Sequence, residues 1–504
     1  MLASFAALAL TVSITNTEAV HGLAPLGERV VACTEGGLDV FAASGAWLRT
    51  LHVEDGLPAH GCWAVRAVGG EVFVATERGL AVLSPSLTIE RLSRVAWHAV
   101  PPGRTRAEVL AHLAALERQL PEGVTWTAFS ERFAGSADGR VFRVADGSVV
   151  RAVPGAVLSL VEDGEVLHID AGEGRFVLRE GRLEELRRDG VPAEAALERA
   201  GVRWLGTRGD GVHREGRRVT PRGQLCGNHV TALARAGAML VVGTFDRGVC
   251  WTEGGRWVRA HKPALPSDEV TAVAIDGRQL FVATTAGLAH FDGRAWTQFA
   301  FGGRNPLGLE RLSVLGLQRT AEGLWVMDGR GASLVSTDAK QGPRLRSRVR
   351  TPEGWAAHPS LSRRAGSALW FASEDRGLIR FDGADWTRFH DGRELTDNWV
   401  TALAVEPARA VVGSCTNGFT WFDGARWTRV TTGLPSLMVT AVALTPRGAL
   451  VGTLGGVAHF DAETGAVTAL TEPVADERTS ALSWSEGELL IGTEAGLTRL
   501  RAAR

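Results

Sequence analysis

The sequence of 504 residues contains no tyrosine, and lysine occurs only at positions 262 and 340. Aromatic packing therefore depends on 16 tryptophans and 18 phenylalanines, and positive charge depends almost entirely on arginine. No apolar run reaches 18 residues, which excludes a membrane-spanning helix. Lys and Arg total 55 against 56 Asp and Glu, so the formal net charge is -1. This balance argues against a broad nucleic-acid surface, and we expect no nucleic-acid partner.

The five cysteines, at positions 33, 62, 226, 250 and 415, are odd in number and lack the spacing of a metal site. We interpret them as small buried hydrophobic residues. Cys226 and Cys250 form the one local pair for which a disulfide is worth testing. The sequence predicts neither a metal site nor a cofactor.

The N-terminus allows two interpretations. Residues 2–12 form an apolar stretch of signal-peptide length, but a basic leading region and an Ala-x-Ala cleavage site before Val20 are both missing. Alternatively, residues 9–15 form a β-strand. We favour an extracytoplasmic location, periplasmic or secreted, with the cytoplasm as the alternative.

An internal repeat is the main signal in the sequence. Each copy contains a Val-Thr-Ala run such as 270–272 or 400–402, a Val-Gly-Thr type strand such as 240–244, and a Phe-Asp-Gly turn before a tryptophan. The copies are 35 to 46 residues apart, with one spacing of 60. Twelve copies are marked by Gly37, Gly79, Gly139, Gly174, Gly211, Gly248, Gly287, Gly331, Gly377, Gly418, Gly456 and Gly496.

Each copy is predicted to form four short antiparallel strands, which is typical of a β-propeller blade. Asp-Gly pairs at 292–293, 382–383 and 423–424 are predicted to make the turn between strands three and four, because these residues tolerate positive φ. One blade cannot bury both of its faces, so blades must stack around an axis with Trp and Phe between them. The fold class is therefore all-β, a propeller of about twelve blades in two rings.

The repeats resemble those of the two-component regulator propeller family. The residues that carry this resemblance are Asp55-Gly-Leu-Pro58, Gly433-Leu-Pro-Ser436 and Leu490-Ile-Gly-Thr-Glu-Ala-Gly-Leu497. Members of that family form periplasmic sensor propellers of hybrid histidine kinases and also occur alone, so the resemblance implies a ligand-binding propeller. This chain contains no kinase module or response-regulator segment, which argues against direct signalling.

We predict two propellers of about six blades each, residues 1–255 and 256–504, because known propellers have four to eight blades. Strand 9–15 would complete the blade marked by Gly248, and the strand of Trp257 would complete the blade marked by Gly496. A division into seven and five blades, or one large ring, is the alternative.

Two segments stand outside the repeat. Residues 104–120 have apolar side chains on one helical face, which predicts a helix packed on the ring or, alternatively, a docking helix for a partner. Residues 339–355 are predicted to be a solvated basic loop, with binding of an acidic partner as the alternative.

A binding face is predicted where the segments that lead into first strands meet the loops between second and third strands. These loops are polar and mixed in charge, which suits a peptide, glycan or protein surface. The candidate binding residues are His60, Trp63, Arg78, His229, Asp246, Arg247, Asp268, Glu269, Arg376, Asp397, Asn398, Trp399 and Asn417.

No motif of a serine hydrolase, zinc protease, Walker-type nucleotide site or EF-hand occurs. We therefore predict a non-catalytic binding scaffold, a sensory or assembly subunit. The alternative is a propeller-type lyase or glycoside hydrolase with a site in an axial funnel. Such a site would need an acid–base pair from separate loops, for example His229 with Glu269.

Overall fold

A computed structural model describes residues 8–502 apart from 94–98, 102, 120–123, 125, 131, 137, 155–156, 164–165, 172–173, 180, 187–194, 200, 208–210, 222–223, 300–304, 339–341, 353–358 and 486. The described strands form twelve four-stranded antiparallel sheets, which are the blades of the predicted β-propeller fold. No helix among these residues has the length and hydropathy needed to cross a membrane.

The chain divides into two compact units, and both consist of blades. The first strand, β1 (Leu8–Ile14), belongs to the seven-blade unit, Met1–Asn16 with Gly223–Arg504. The five-blade unit is Thr17–Arg222. Its elements are β2 (Val20–Leu26), β3 (Arg29–Thr34), β4 (Gly37–Phe41), β5 (Trp47–Leu51), a 3₁₀ helix (Val53–Asp55), β6 (Cys62–Val68), β7 (Glu71–Thr76), β8 (Gly79–Leu83), β9 (Ile89–Ser93), α1 (Arg106–Gln119), β10 (Trp126–Phe129), β11 (Phe133–Ser136), β12 (Arg140–Arg143), β13 (Val149–Ala152), β14 (Val157–Asp163), β15 (Val166–Ala171), β16 (Gly174–Arg179), β17 (Arg182–Leu186), β18 (Ala195–Arg199), β19 (Val202–Gly206), β20 (Val212–Arg214) and β21 (Arg217–Arg218).

Blades 1 to 5 consist of β2–β5, β6–β9, β10–β13, β14–β17 and β18–β21. The seven-blade unit continues in the same way, with four strands a blade. Its further strands are β22 (Val230–Ala236), β23 (Met239–Thr244), β24 (Val249–Glu253), β25 (Arg256–Ala260), β26 (Val270–Asp276), β27 (Gln279–Thr284), β28 (Gly287–Phe291), β29 (Trp296–Phe299), β30 (Gly316–Thr320), β31 (Gly323–Met327), β32 (Gly331–Ser336), β33 (Arg344–Arg350), β34 (Pro359–Ala365), β35 (Ala368–Ser373), β36 (Leu378–Phe381), β37 (Trp386–Phe389), β38 (Val400–Glu406), β39 (Arg409–Ser414), β40 (Phe419–Phe422), β41 (Trp427–Val430), β42 (Val439–Thr445), β43 (Gly448–Thr453), β44 (Gly456–Asp461), β45 (Val467–Ala469), β46 (Thr479–Ser485), β47 (Glu488–Thr493) and β48 (Gly496–Ala502).

Blades 6 to 11 are β22–β25, β26–β29, β30–β33, β34–β37, β38–β41 and β42–β45, and blade 12 is β46–β48 with β1 as its outermost strand. The predicted partner of the N-terminal strand is therefore wrong. Strand β1 pairs with β48, with Ile14 opposite Leu497, and does not complete the blade of Gly248. The reason is that blade 6 keeps its own fourth strand, β25, whereas blade 12 is the one left with three. The units consequently divide near residues 16 and 222, not at residue 255.

The threonine of the Val-Thr-Ala run links the first strands of several neighbouring blades in the seven-blade unit. Thr231 Oγ1 donates to the carbonyl oxygen of Val270 at 2.6 Å, and Thr401 Oγ1 donates to that of Val439 at 2.5 Å. Thr440 repeats this bond between blades 11 and 12. The repeated threonine thus satisfies a carbonyl on the adjacent blade, in addition to favouring a β-strand.

The glycine of the Val-Gly-Thr strands permits the same close approach of neighbouring blades. A Cβ atom at Gly243 would lie 2.4 Å from Val270 Cγ1, and one at Gly413 would lie 2.4 Å from Val439 Cγ1. A Cβ atom at Gly492 would lie 2.5 Å from Val230 Cγ1. Blade 12 therefore packs on blade 6, which closes the ring. Any larger residue at these positions would force the blades apart.

The five-blade unit closes between blades 5 and 1. The Val20 amide donates to the Thr207 carbonyl oxygen at 2.8 Å, and an ion pair of 2.7 Å joins Glu18 to Arg218. Trp204, which is 1% exposed, packs against Phe41 with ring centroids 6.0 Å apart. Large aromatic side chains therefore fill the space between blades, as predicted.

Residues 106–119 of this segment form α1, and apolar side chains on one side of the helix pack on the unit's own core. Val109 and Leu113 are buried in a cluster with Phe73 of blade 2 and Trp126 of blade 3. Arg106 pairs with Glu71 at 3.0 Å. This confirms the first interpretation of the helix, whose predicted last residue, 120, lies outside the described residues.

The predicted basic loop at 339–355 is wrong in its central part, because residues 344–350 form β33, the outer strand of blade 8. Residues 339–341 and 353–355 lie outside the described residues. Arg348 is almost fully buried and binds both carboxylate oxygens of Asp328, at 2.8 and 3.0 Å, and Ser333 Oγ at 2.8 Å. The arginine that the sequence placed in solvent thus neutralises a buried carboxylate.

Two disulfides join Cys33 to Cys62 and Cys226 to Cys250. The first links blade 1 to blade 2, and the second ties the segment before β22 to β24 of the same blade. The pair proposed for testing is thus bonded, whereas the interpretation of Cys33 and Cys62 as simple hydrophobic residues is wrong. Cys415 is free.

The Asp-Gly turns have the predicted role. Asp292 Oδ1 accepts hydrogen bonds from the amides of Arg294 and Ala295, at 2.7 and 2.8 Å. Asp382 and Asp423 make the equivalent bonds. These amides hold the pKa of each carboxyl below its ordinary value.

Candidate functional site

In blades 6, 7, 10, 11 and 12, the segment that leads into the first strand lies beside the loop between the second and third strands. The Phe245 amide donates to the His229 carbonyl oxygen at 2.9 Å. The Cys415 amide bonds to Trp399 in the same way at 3.0 Å, and Leu454 to Met438 at 3.2 Å. We call the surface formed by these segments the loop face.

Neighbouring blades are also joined at the loop face. The amide of the marker glycine donates to the carbonyl oxygen two residues before the next first strand. These bonds run from Gly248 to Asp268 at 2.9 Å, from Gly377 to Asn398 at 3.0 Å and from Gly418 to Leu437 at 2.9 Å. A fixed backbone therefore supports side chains of quite different chemistry at equivalent positions.

Ten of the thirteen predicted binding residues lie on this loop face, spread over several blades. The remaining three lie in the five-blade unit. The ten are His229, Asp246, Arg247, Asp268, Glu269, Arg376, Asp397, Asn398, Trp399 and Asn417.

Several of the ten residues form hydrogen bonds with groups in their own or the adjoining loop. Asp397 Oδ1 accepts from the Trp399 amide at 3.0 Å, and its Oδ2 accepts from Thr416 Oγ1 at 2.7 Å. Asn398 Oδ1 accepts from the Asp391 amide at 3.1 Å. These polar side chains fix the loop that presents Trp399, whose exposure is 46%.

The other predicted charges pair locally. Asp246 and Arg247 form an exposed ion pair at 3.5 Å, and Arg376 pairs with Asp375 at 3.4 Å. Asp268 Oδ1 accepts from the Lys262 amide at 2.7 Å. The Asn417 amide donates to Ser414 Oγ in the hairpin of blade 10, at 3.1 Å.

The example of an acid–base pair, His229 with Glu269, is divided between blades 6 and 7. His229 stacks on Phe245 with ring centroids 5.0 Å apart. Glu269 Oε2 accepts from Thr285 Oγ1 at 3.3 Å. Each of the two residues is therefore positioned by a partner on its own blade.

The three residues of the five-blade unit have different surroundings. His60 is fully buried instead of exposed, because the segment 52–61 folds over the core between blades 1 and 2. Its ring packs edge-on against His52 at 4.9 Å, and Glu54 lies 3.9 Å from its Nε2. Burial and the neighbouring His60 lower the pKa of His52 to about 4.

Trp63 and Arg78 lie in blade 2, and both are partly buried. Trp63 is the second residue of its first strand and packs against His21 of blade 1, with ring centroids 5.2 Å apart. The Arg78 amide donates to Thr76 Oγ1 at 3.3 Å, inside the loop between β7 and β8.

Apart from Trp399, the exposed apolar side chains on the loop face are not among the predicted binding residues. Among the described residues, eleven large hydrophobic side chains are exposed, and six of them lie on these loops. The equivalent positions in other copies of the repeat carry charged residues, for example Glu494 at the position of Leu454. An alignment of the copies would therefore have identified the apolar residues as unusual for an exposed loop. The six are Phe245, Leu312, Trp399, Leu437, Met438 and Leu454.

Blades 10 and 11 hold most of this apolar surface. Trp399 and Cys415 adjoin in blade 10, and Met438 and Leu454 adjoin in blade 11. Burial, and secondarily the charge of Asp397, raises the pKa of the Cys415 thiol, so it is largely protonated at neutral pH. Within the described part of the chain, no group of three His, Cys, Asp or Glu side chains could hold a metal ion.

No family model matches the sequence, and no curated protein matches it. Among solved structures, the fold is similar to PorZ of Porphyromonas gingivalis, an essential bacterial surface component of the type-IX secretion system. Identity is 13%, coverage is 97% of this chain and 87% of PorZ, and the TM-score is 0.60. At this identity the similarity shows a shared fold.

Two weaker similarities concern other solved structures. The extracellular domain of the putative hybrid two-component system BT4673 from B. thetaiotaomicron has 14% identity and a TM-score of 0.47, with 96% of this chain and 70% of that chain covered. Virginiamycin B lyase from Staphylococcus aureus has 11% identity and a TM-score of 0.44, with 55% and 96% covered. Neither similarity is close enough to bear on function.

Proposed function

We propose that the protein is a non-catalytic binding scaffold that recognises a protein segment on the loop face of its seven-blade unit. The observation that carries this proposal is the concentration of exposed apolar side chains on blades 10 and 11. Exposed apolar clusters with polar surroundings are typical of protein interaction sites. Trp399 is the best candidate for an anchor, since indole side chains are enriched among the residues that dominate binding energy.

The same proposal places the protein outside the cytoplasm. Its support is the pair of disulfides, because such bonds persist in oxidising compartments. PorZ, which shares the fold, is a surface component of a secretion system, and an assembly role at the cell surface is the form of scaffold that we favour. The motif resemblance to sensor propellers makes a sensory role the second form.

The test is selection of peptides from a random display library on the full-length protein, followed by calorimetry with the selected peptides. Leu454→Asp should weaken binding by at least about 10-fold, because it puts a charge into the apolar contact. The matched control is Leu345→Asp in the outer strand of blade 8, since Leu345 and Leu454 are 40% and 39% exposed. Both variants are first compared with the parent protein by thermal unfolding.

Failure to enrich any peptide would overturn the proposal, as would binding that Leu454→Asp leaves unchanged. The enzymatic alternative makes a different prediction. It requires turnover of a glycan or peptide that is abolished by His229→Ala, and such turnover would replace the proposal of a non-catalytic scaffold.

A further inference from the structure

The apolar part of the loop face carries no charged side chain. It consists of three consecutive segments around the ring, 415–418, 431–438 and 454–455, which we call the uncharged arc. The amide of Gly418 donates to Leu437, and that of Leu454 donates to Met438, so the three segments are continuous. Leu437, Met438 and Leu454 are 37% to 40% exposed.

Acidic segments lie on both sides of the uncharged arc. On the side of blade 9, segments 374–377 and 390–399 contain five acidic and two basic residues. On the side of blade 12, segments 470–478 and 494–495 contain four acidic and one basic. Each side therefore has a net charge of −3, whereas the whole chain has −1. We call these two groups of segments the acidic flanks.

The few basic side chains of the flanks are already paired. Arg478 binds Asp476 at 3.2 Å and Glu494 at 2.8 Å. On the other flank, Arg376 pairs with Asp375, and Arg393 lies 3.7 Å from Glu394. Arg388 donates to the Arg376 carbonyl oxygen, and Arg429 donates to those of Glu394 and Asp391, so these two cations reduce the negative charge of the blade 9 flank. Exposed carboxylates such as Glu374 and Glu477 give the flanks a negative potential toward solvent, which is stronger on the side of blade 12.

We propose that the uncharged arc and its acidic flanks recognise a protein segment in which apolar residues are flanked on both sides by lysine or arginine. This inference rests on the proposed function and names the chemistry of the partner. The apolar residues would cover Leu437, Met438 and Leu454, and the basic residues would face the flanks. Trp399, at the edge of one flank, offers an indole face on which a guanidinium group can stack.

The pattern also selects against other partners. An acidic segment or an anionic membrane surface would meet repulsion from both flanks, so charge complementarity here sets specificity as well as association rate. A neutral apolar segment would gain the contact with the arc but lose the attraction of the flanks.

The experiment uses three synthetic peptides with the same central Trp-Leu pair, flanked by Lys and Arg, by Ser and Gly, or by Asp and Glu. Binding to the full-length protein is measured by calorimetry at low and at high ionic strength. The basic peptide should bind about 10-fold more tightly than the neutral one at low ionic strength, and this advantage should shrink with salt. The acidic peptide should bind most weakly.

Variants then locate the charge effect. The double variant Glu374→Gln/Glu477→Gln should lower affinity for the basic peptide several-fold and leave the neutral peptide unaffected. Glu463→Gln, in the turn of blade 11 at the opposite ends of the strands, is the matched control and should change neither affinity.

If the basic and neutral peptides bind equally well and Leu454→Asp weakens both, this inference is overturned while the proposed function stands. If the acidic peptide binds most tightly, the inference is likewise overturned. If neither these peptides nor the display library gives any binding, both proposals fail.

Discussion

Ser480 Oγ donates a hydrogen bond to the carbonyl oxygen of Val230, although the two residues are 250 positions apart. This is the same contact that Thr401 makes with Val439 between two blades that follow each other in the chain. The junction that closes the seven-blade unit is therefore chemically equivalent to its internal junctions. Closure adds Arg235 of blade 6, which pairs with the nearly buried Glu488 of blade 12.

Gly492→Ala tests this junction. The added methyl group would meet Val230 Cγ1 at 2.5 Å, so we expect a loss of about 1–3 kcal/mol in unfolding free energy, the range for overpacking. Gly243→Ala should cost a similar amount at an internal junction, where the distance is 2.4 Å. Urea unfolding measures both, with Ala238→Ser in an exposed turn as the control. An unchanged Gly492→Ala protein would contradict the contact.

Removal of the disulfide in the five-blade unit gives a second prediction. Cys33 and Cys62 are 29 residues apart, and Cys33→Ala/Cys62→Ala should cost about 3 kcal/mol, because the unfolded chain regains the freedom of that loop. Hydrogen exchange should localise the loss to peptides of blades 1 and 2. Cys415→Ala, which removes a thiol without breaking a bond, is the control. Equal stability of the two variants would refute the prediction.

The free thiol gives a third prediction. Without reductant, one thiol per chain, Cys415, should react with a maleimide, and the rate should rise with pH beyond the range of an ordinary thiol. Asp397→Asn should speed the reaction at a given pH, because it removes a negative charge that raises the thiol pKa. Asp246→Asn, on another blade, should leave the rate unchanged. A slower reaction of Asp397→Asn would contradict the assigned cause.

His52 gives a prediction about pH. Its pKa is about 4 in the folded protein against an ordinary value of 6.5, so the unfolded chain binds a proton first as the pH falls. The contribution of neutral His52 is complete above pH 6.5 and disappears as the pH falls toward 4, a difference of roughly 3 kcal/mol.

Urea unfolding between pH 4 and 7.5 should therefore be less pH-dependent for His52→Gln than for the parent protein. His261→Gln, at an exposed position before β26, is the control. If His52→Gln and His261→Gln have the same pH profile, the burial of a neutral imidazole at position 52 is not the source of the dependence.

The strands could be predicted because local chemistry determines them. A marker glycine such as Gly248 has a φ of 75° and a hypothetical Cβ 2.3 Å from the Ala260 carbonyl oxygen, so the glycine recurs wherever a third strand begins. The Asp of each Asp-Gly turn bonds within its own turn. Neither feature depends on distant parts of the chain.

The division into units could not be predicted, because many of the blades present similar Val, Thr and Gly residues to their neighbours. Whether Val230 packs on blade 5 or on blade 12 depends on contacts such as Ser480 with Val230, between segments far apart in sequence. The partner of β1 is equally ambiguous, since several strand edges could accept it. The partner of β1 is identified only when the strands of every sheet are known, because blade 12 has three strands of its own and blade 6 has four.

The candidate site was predictable in position and less so in chemistry. The topology of a blade places Trp399 and Asp397 on the loop face, where they lie. Met438 and Leu454 were not predicted as binding residues, because polar side chains were sought on these loops. Both nevertheless occupy loop positions of the repeat that are equivalent to those of Trp399 and Cys415. His60 occupies a loop position too, but its burial depends on how segment 52–61 folds over the core.

The pairing of β1 with β48 fixes the order in which the protein can mature during translation. The five-blade unit consists of one continuous stretch, residues 17–222, whereas β1 can take its place in blade 12 only after β48 has been synthesised. Until then, Ile14 and its neighbours in β1 lack the partner strand that holds them in blade 12.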